Sequence, residues 1–167
     1  MLALRVADLA GTHAVAAAIA GLARTGDIIV LAGEMGAGKT AFAQGFGAAL
    51  GITEPITSPT FTLVHSNPFG RDRTLHHADL YRLDSTADVD DLALDELAEF
   101  GGIVLVEWGD VVGLGENLHI RLEPGDDIDE DGDGDVDDQA RTIRVTAVGR
   151  GWAGRWERLV AAVAPYR

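Results

Sequence analysis

The sequence predicts an α/β domain of three layers, with helices on both faces of a mixed, mainly parallel central sheet. Three observations predict it. Strand-like and helical stretches alternate along most of the 167 residues. The runs Asp27-Ile28-Ile29-Val30-Leu31-Ala32 and Ile103-Val104-Leu105-Val106 are almost wholly apolar, as in strands covered on both faces. The first leads directly into the glycine-rich segment Gly33-Glu34-Met35-Gly36-Ala37-Gly38-Lys39-Thr40, behind which a helix opens. The length suits one domain, residues 1–167, with a full core.

Taken in order, Leu2-Ala3-Leu4-Arg5-Val6 alternates and predicts an edge strand. A helix from about His13 to Arg24 follows, with Thr12 as its N-cap. Its apolar stretch Ala14–Ala23 is too short to span a bilayer, and Asp8, Thr12 and His13 stand where a signal peptide carries basic residues. The buried strand 27–32 and a helix from Thr40 to near Gly51 come next. Thr53–Pro59, with its prolines and hydroxyls, reads as an ordered loop. Phe61–His65 and Thr74–Ala78 read as strands joined through a turn at Asn67-Pro68-Phe69-Gly70. Ala87–Phe100 carries helical periodicity through Val89, Leu92, Leu94 and Leu97, stopped by Gly101-Gly102. After the strand 103–106, Leu118–Leu122 and Thr142–Thr146 alternate and are expected to pair antiparallel. Trp152–Ala164 reads as a closing helix.

The glycine-rich segment satisfies every fixed position of the phosphate-binding pattern G-x-x-x-x-G-K-[ST]. Lys39 is the only lysine; the other twelve basic residues are arginine. A compact ammonium on a flexible stem tucks between β- and γ-phosphates where a planar fork fits poorly. Backbone N–H groups of a glycine-rich turn feeding a helix N-terminus form an anion site. The fold expectation therefore sharpens to a P-loop NTPase-like domain that binds a nucleoside triphosphate.

A P-loop needs a magnesium partner. Ile103–Val106 ends in Glu107, the general shape of a Walker B strand, which would set a carboxylate beside the Thr40 hydroxyl. Leu75-His76-His77-Ala78-Asp79 is a second strand ending in an acid, suited to orienting water or joining the metal shell. His76 and His77 are neighbours on a strand and point to opposite faces, so they read as structural rather than as joint ligands.

The net charge of −14 is concentrated. Glu123 to Asp138 holds ten acidic residues and no basic one, leaving 17 acidic against 13 basic residues elsewhere. No basic stripe appears, so direct nucleic-acid binding through phosphate neutralisation has little support. Within the tract, Asp129-Glu130-Asp131-Gly132-Asp133-Gly134-Asp135-Val136 matches the start of a calcium loop, but Ala140 falls at the twelfth position. A register from Asp127 puts Asp138 at the twelfth position and Gly134 where an apolar residue belongs. The favoured reading is an acidic, flexible hairpin insertion at about 124–140, held open by like-charge repulsion. The absence of cysteine excludes disulfides, thiolate ligands and a cysteine nucleophile and suits a reducing, cytoplasmic setting.

Guanine recognition through N-K-x-D is impossible without a second lysine, so adenine is expected. Arg71, Arg73 and Arg82 offer cations for a small-molecule kinase lid, but the connection from Asn67 to Asp72 is short for a lid and an acceptor pocket.

The P-loop, then Ser58-Pro59-Thr60-Phe61-Thr62-Leu63, His77-Ala78-Asp79-Leu80-Tyr81-Arg82-Leu83 and Glu107-Trp108, follow one another in a series that resembles the TsaE (YjeE) family. These are small bacterial ATPases of tRNA threonylcarbamoyladenosine synthesis. The resemblance runs from about residue 8 to 122 and resumes in the last strand and helix. It implies an ATP/ADP-binding, Mg²⁺-dependent cytoplasmic ATPase with no membrane contact. It also implies assistance to the TsaD and TsaB proteins, with tRNA met only indirectly through that complex. Carried over by position, Gly36, Ala37, Gly38, Lys39, Thr40 and Ala41 would wrap the phosphates. Thr12 and Asp110 would lie by the nucleotide, and Thr40 and Glu107 would hold Mg²⁺. Lys39, Asp79 and Glu107 would be catalytic, Ser58–Thr62 a γ-phosphate-sensing switch, and Trp108 a partner or nucleotide contact. Two departures stand out. Ala41 replaces a frequent second threonine but keeps its N–H, and the acidic stretch 126–138 is an insertion.

Overall fold

Seven strands form one sheet in the order β1-β7-β6-β2-β5-β4-β3. The computed structural model describes residues 1–57, 63–81, 90, 93–108, 113–125 and 139–167. The strands are β1 (Leu2–Val6), β2 (Ile28–Ala32), β3 (Val64–Phe69), β4 (Arg73–Asp79), β5 (Gly102–Glu107), β6 (Asn117–Pro124) and β7 (Arg141–Val148). The four central strands β6, β2, β5 and β4 run parallel, with β5 in register Val30↔Val106 and Leu31↔Glu107 against β2. Antiparallel pairs close both sides: β3 on β4, and β7 on β6 followed by β1 on β7. The sheet is mixed with a parallel centre, as the sequence predicts. The apolar runs of β2 and β5 are buried throughout.

Strand alternation divides the core into two layers. Ile29, Leu31, Ile103 and Leu105 pack against α1 (Leu9–Ala20), α2 (Lys39–Ala49) and the chain end, with Phe42, Phe46, Val15, Ile19 and Leu159 fully buried there. Ile28, Val30, Val104 and Val106 pack on the opposite face with Leu94 and Ala98 of α3 (Leu94–Glu99). Helices α1 and α2 touch at Gly45, where a Cβ would come within 2.7 Å of His13 Cα. The absence of a side chain there sets how closely the P-loop helix lies beside α1.

Three local expectations are corrected. α1 begins at Leu9, and its N-cap is Asp8, whose Oδ1 accepts from Gly11 N at 2.7 Å. Both Asp8 and Thr12 are capping residue types; burial of Thr12 within the first turns leaves the cap to the exposed carboxylate. The hairpin turn lies at Gly70–Asp72 rather than Asn67–Gly70, with left-handed Gly70 (φ +57°) and Asp72 (φ +56°). Asn67, Pro68 and Phe69 belong to β3. Pro68 pairs with Thr74 on the sheet's outermost strand, where a missing N–H costs no ladder bond. The closing helix is broken into a 3₁₀ turn (Ala153–Arg155), α4 (Trp156–Ala162) and a second 3₁₀ turn (Ala164–Tyr166). Pro165 supplies no N–H to extend it. Of the helix expected over 87–100, α3 is the described part, ending at left-handed Gly101 (φ +87°).

The buried pair between Arg155 and Asp27 joins the chain end to the approach to β2. Nη1 donates to Oδ2 at 2.6 Å and Nη2 to Oδ1 at 2.8 Å. At the other end of the sheet, Gly125 N donates to Ala140 O at 2.9 Å, closing the β6–β7 ladder at the root of the acidic tract. Residues 126–138, with the two calcium-loop registers and the expected flexibility, lie outside the described residues.

Candidate functional site

The C-terminal ends of β2, β4 and β5 converge, the usual place for a ligand on a parallel sheet. β2 ends at Ala32 and the chain turns through the P-loop before α2. Gly33, Gly36 and Gly38 hold φ of +138°, +80° and +101°, values open to glycine and strained for other residues. Gly38 is the N-cap of α2 in a left-handed conformation, with no side-chain cap on the first-turn N–H groups of α2, the arrangement that suits an anion. At Gly33 a Cβ would run into the Leu122 carbonyl oxygen of neighbouring β6. The motif glycine is thus required twice, by its dihedrals and by the neighbouring strand.

Lys39 is 5% exposed. Its ammonium donates to the carbonyls of Gly33 and Glu34, each at 2.8 Å. It also lies 4.0 Å from the centroid of the Trp108 ring. Trp108, directly after β5, has φ +63° and stacks at a tilt on Tyr81, centroids 5.0 Å apart. A bulky residue in the left-handed region carries a cost of about 1–3 kcal/mol, and such positions gather at ligand sites. Here the strained turn lays the indole over the ammonium.

Glu107 and Asp79 are register partners on β5 and β4. Glu107 is 3% exposed, and its Oε1 accepts from His77 Nε2 at 2.8 Å. Alternation puts His77 on the Glu107 face of the sheet and His76 on the other, as the sequence predicts. His76 meets Ser66 Oγ through Nδ1 at 2.8 Å, and burial lowers its pKa below the ordinary 6.5. Reading the histidine pair as merely structural missed the His77–Glu107 contact; the strand period was the signal that could have found it. Asp79 Oδ1 accepts from Tyr81 N at 3.0 Å, which turns the chain at the end of β4.

The residues present fit a nucleotide with its metal. Lys39 donates to the loop carbonyl oxygens of Gly33 and Glu34, hydrogen-bond acceptors as phosphate oxygens are. Glu107 is held through one carboxylate oxygen by His77, the arrangement that orients a metal-binding carboxylate. Among the described residues, no group of three or more His, Cys, Asp or Glu is placed to hold a metal alone. A divalent ion here would share its shell with phosphate oxygens and water, as Mg²⁺ does in nucleotide sites.

Gly36–Ala41, Lys39, Asp79 and Glu107 are therefore gathered at one end of the sheet. Thr12 is buried near the start of α1, where its hydroxyl faces the Asp8 carbonyl at 3.4 Å. Asp110 and the expected switch 58–62 fall outside the described residues. One residue that sequence reasoning missed stands on the loop itself. Arg141, the first residue of β7, donates from Nε to Ala37 O at 3.0 Å and from Nη2 to Gly36 O at 3.3 Å. The contact spans 104 positions in sequence, and no local pattern signals it. No helix among the described residues is long and apolar enough to cross a membrane.

A profile of the family described as "Threonylcarbamoyl adenosine biosynthesis protein TsaE" matches residues 6–130. A Streptomyces coelicolor protein named tRNA threonylcarbamoyladenosine biosynthesis protein TsaE is 38% identical over 140 residues, 81% of this chain and 89% of its own. The Bacillus subtilis protein of that name is 42% identical over 101 residues, 60% of this chain and 62% of its own. The crystal structure of Bacillus subtilis YdiB superposes with a TM-score of 0.72 at 32% identity, covering 98% of this chain and 94% of that one. With a profile match across most of its length and a solved structure that follows it nearly end to end, this chain belongs to the TsaE family.

Proposed function

We propose that this protein is a Mg²⁺-dependent ATPase that assists a TsaD–TsaB complex in forming threonylcarbamoyladenosine at adenosine 37 of tRNA. The observation that carries the ATPase reading is the buried Lys39 ammonium. It is held between loop carbonyls and Trp108, beside a glycine loop that opens α2 and one strand away from Glu107. The names of the relatives support the pathway.

Hydrolysis transfers the γ-phosphoryl group of ATP to water, giving ADP and inorganic phosphate. In this reading the N–H groups of Gly36–Ala41 cradle the phosphates, and Lys39 exchanges its carbonyl acceptors for phosphate oxygens as charge develops on them. Thr40 and Glu107 would hold Mg²⁺, which would supply positive charge to offset that of the phosphates. His77 holds Glu107 in orientation. Asp79, in register with Glu107, orients the attacking water. Thr12 and Asp110 contact the nucleotide.

Phosphate release from ATP, measured for the purified protein alone and with TsaD and TsaB of the same organism, tests the proposal. Strong stimulation by the partners is the expected result. Equal turnover with and without them would leave the ATPase standing and remove the assisting role.

A further inference from the structure

Arg141 reaches the P-loop from β7, two strands away from β2 in the sheet. It opens β7, opposite Pro124 of β6 in the antiparallel ladder, directly after the root of the acidic tract. Its guanidinium donates to backbone carbonyls, from Nη1 to its neighbour Ala140 at 2.7 Å, from Nε to Ala37 at 3.0 Å and from Nη2 to Gly36 at 3.3 Å. A Cβ on Gly38 would sit 3.5 Å from the same Nε, so the guanidinium is packed against the loop. The neighbouring cation on this hairpin behaves differently. Arg144 pairs across the ladder with Glu123 at 3.0 Å, and both side chains are well exposed.

We propose that Arg141 is a positioning residue of the phosphate loop, holding Gly36 and Ala37 so that the loop is ordered for phosphate before nucleotide arrives. A trans peptide unit points its C=O and the following N–H in opposite directions. Anchoring the Ala37 carbonyl on Arg141 therefore turns the Gly38 N–H to the other side of the loop, towards the start of α2. A planar fork suits this task because it bridges two successive carbonyls with fixed geometry, which an ammonium does not. Its positive charge adds to the anion-attracting field of the loop. Gln139, two residues earlier, accepts from Leu9 N at 3.4 Å through Oε1. The same strand root thus touches both the P-loop and the first turn of α1.

The inference rests on the reading of Gly33–Thr40 as a phosphate cradle, and its test separates the two. ATP and ADP affinity, steady-state kinetics and amide hydrogen exchange are measured for the wild-type protein, Arg141→Ala and Arg141→Lys. In Arg141→Ala, nucleotide Kd and KM rise about tenfold, while kcat at saturation stays within about twofold because bound phosphates order the loop. In nucleotide-free Arg141→Ala, amides of residues 34–40 exchange faster while those of β2 and β6 keep their protection. Arg141→Lys recovers only part of the affinity. Unchanged affinity and loop exchange in Arg141→Ala would overturn the proposal, as would complete rescue by lysine, which would reduce the role to charge. If Arg141→Ala does not fold, Arg141→Lys carries the comparison. If the wild-type protein binds no nucleotide, the phosphate reading fails, and loop exchange still decides whether Arg141 orders this segment.

Discussion

The Lys39 ammonium lies 4.0 Å from the centre of the Trp108 ring while it donates to the carbonyls of Gly33 and Glu34. The one lysine of the chain thus finds acceptors in the loop that precedes it. A cation over an indole gains about 0.5–2 kcal/mol. That is small beside the attraction of a triphosphate, so the proposed nucleotide would compete well for the ammonium.

Nucleotide binding is expected to change the fluorescence of Trp108, because its ammonium neighbour moves. Titrating ADP or ATP into the wild-type protein should give a saturable change that Trp108→Phe loses, since Trp152 is buried in the core and Trp156 packs against it at the chain end. An unchanged signal in Trp108→Phe would place the response elsewhere.

Lys39→Ala should lower ATP hydrolysis by about 10²-fold or more, as expected when a charge facing the transition state is lost. Circular dichroism should show an intact fold. Near-normal turnover in the folded variant would remove Lys39 from the chemistry.

Glu107→Ala should keep some nucleotide binding and lose Mg²⁺-dependent hydrolysis. His77→Ala, which frees the carboxylate from its 2.8 Å donor, should weaken Mg²⁺ affinity in the nucleotide complex about 10–100-fold. Mg²⁺ titrations monitored by calorimetry would check both. Unaltered metal dependence in Glu107→Ala would move the metal role to Asp79.

Arg155→Met should destabilise the fold by about 3–5 kcal/mol, since it leaves the largely buried Asp27 carboxylate without its bidentate partner. Denaturant unfolding measures this directly. A cost below about 1 kcal/mol would show that the pair is no better than a surface bridge.

Replacing residues 126–138 by a short turn should leave ATP hydrolysis intact. The ends to be joined are already hydrogen-bonded through Gly125 N and Ala140 O, and Arg141 is kept. A large loss of activity would show that the tract serves the nucleotide site.

What could be read from the chain is what local chemistry enforces. A buried apolar run, glycines at three turn positions and a lysine before a helix specify strand, loop and helix within about twenty residues, because backbone sterics and orphan N–H groups act over short range. Alternation likewise separated His76 from His77 before any contact was known. Where several local solutions were open, sequence reading chose wrongly. Asp8 and Thr12 both suit a cap, and Asn67-Pro68 suits a turn until an outer strand absorbs it.

The sequence by itself determined the α/β alternation, the phosphate loop and the acids that end β4 and β5. Tertiary structure decided which side chains meet. It set His77 on Glu107, Trp108 over Lys39, Asp27 under Arg155 and Arg141 against the loop. Each of these contacts joins different parts of the chain, and its geometry follows from strand order and register. Those are selected by burial of the whole core, a sum over many residues that no single segment contains.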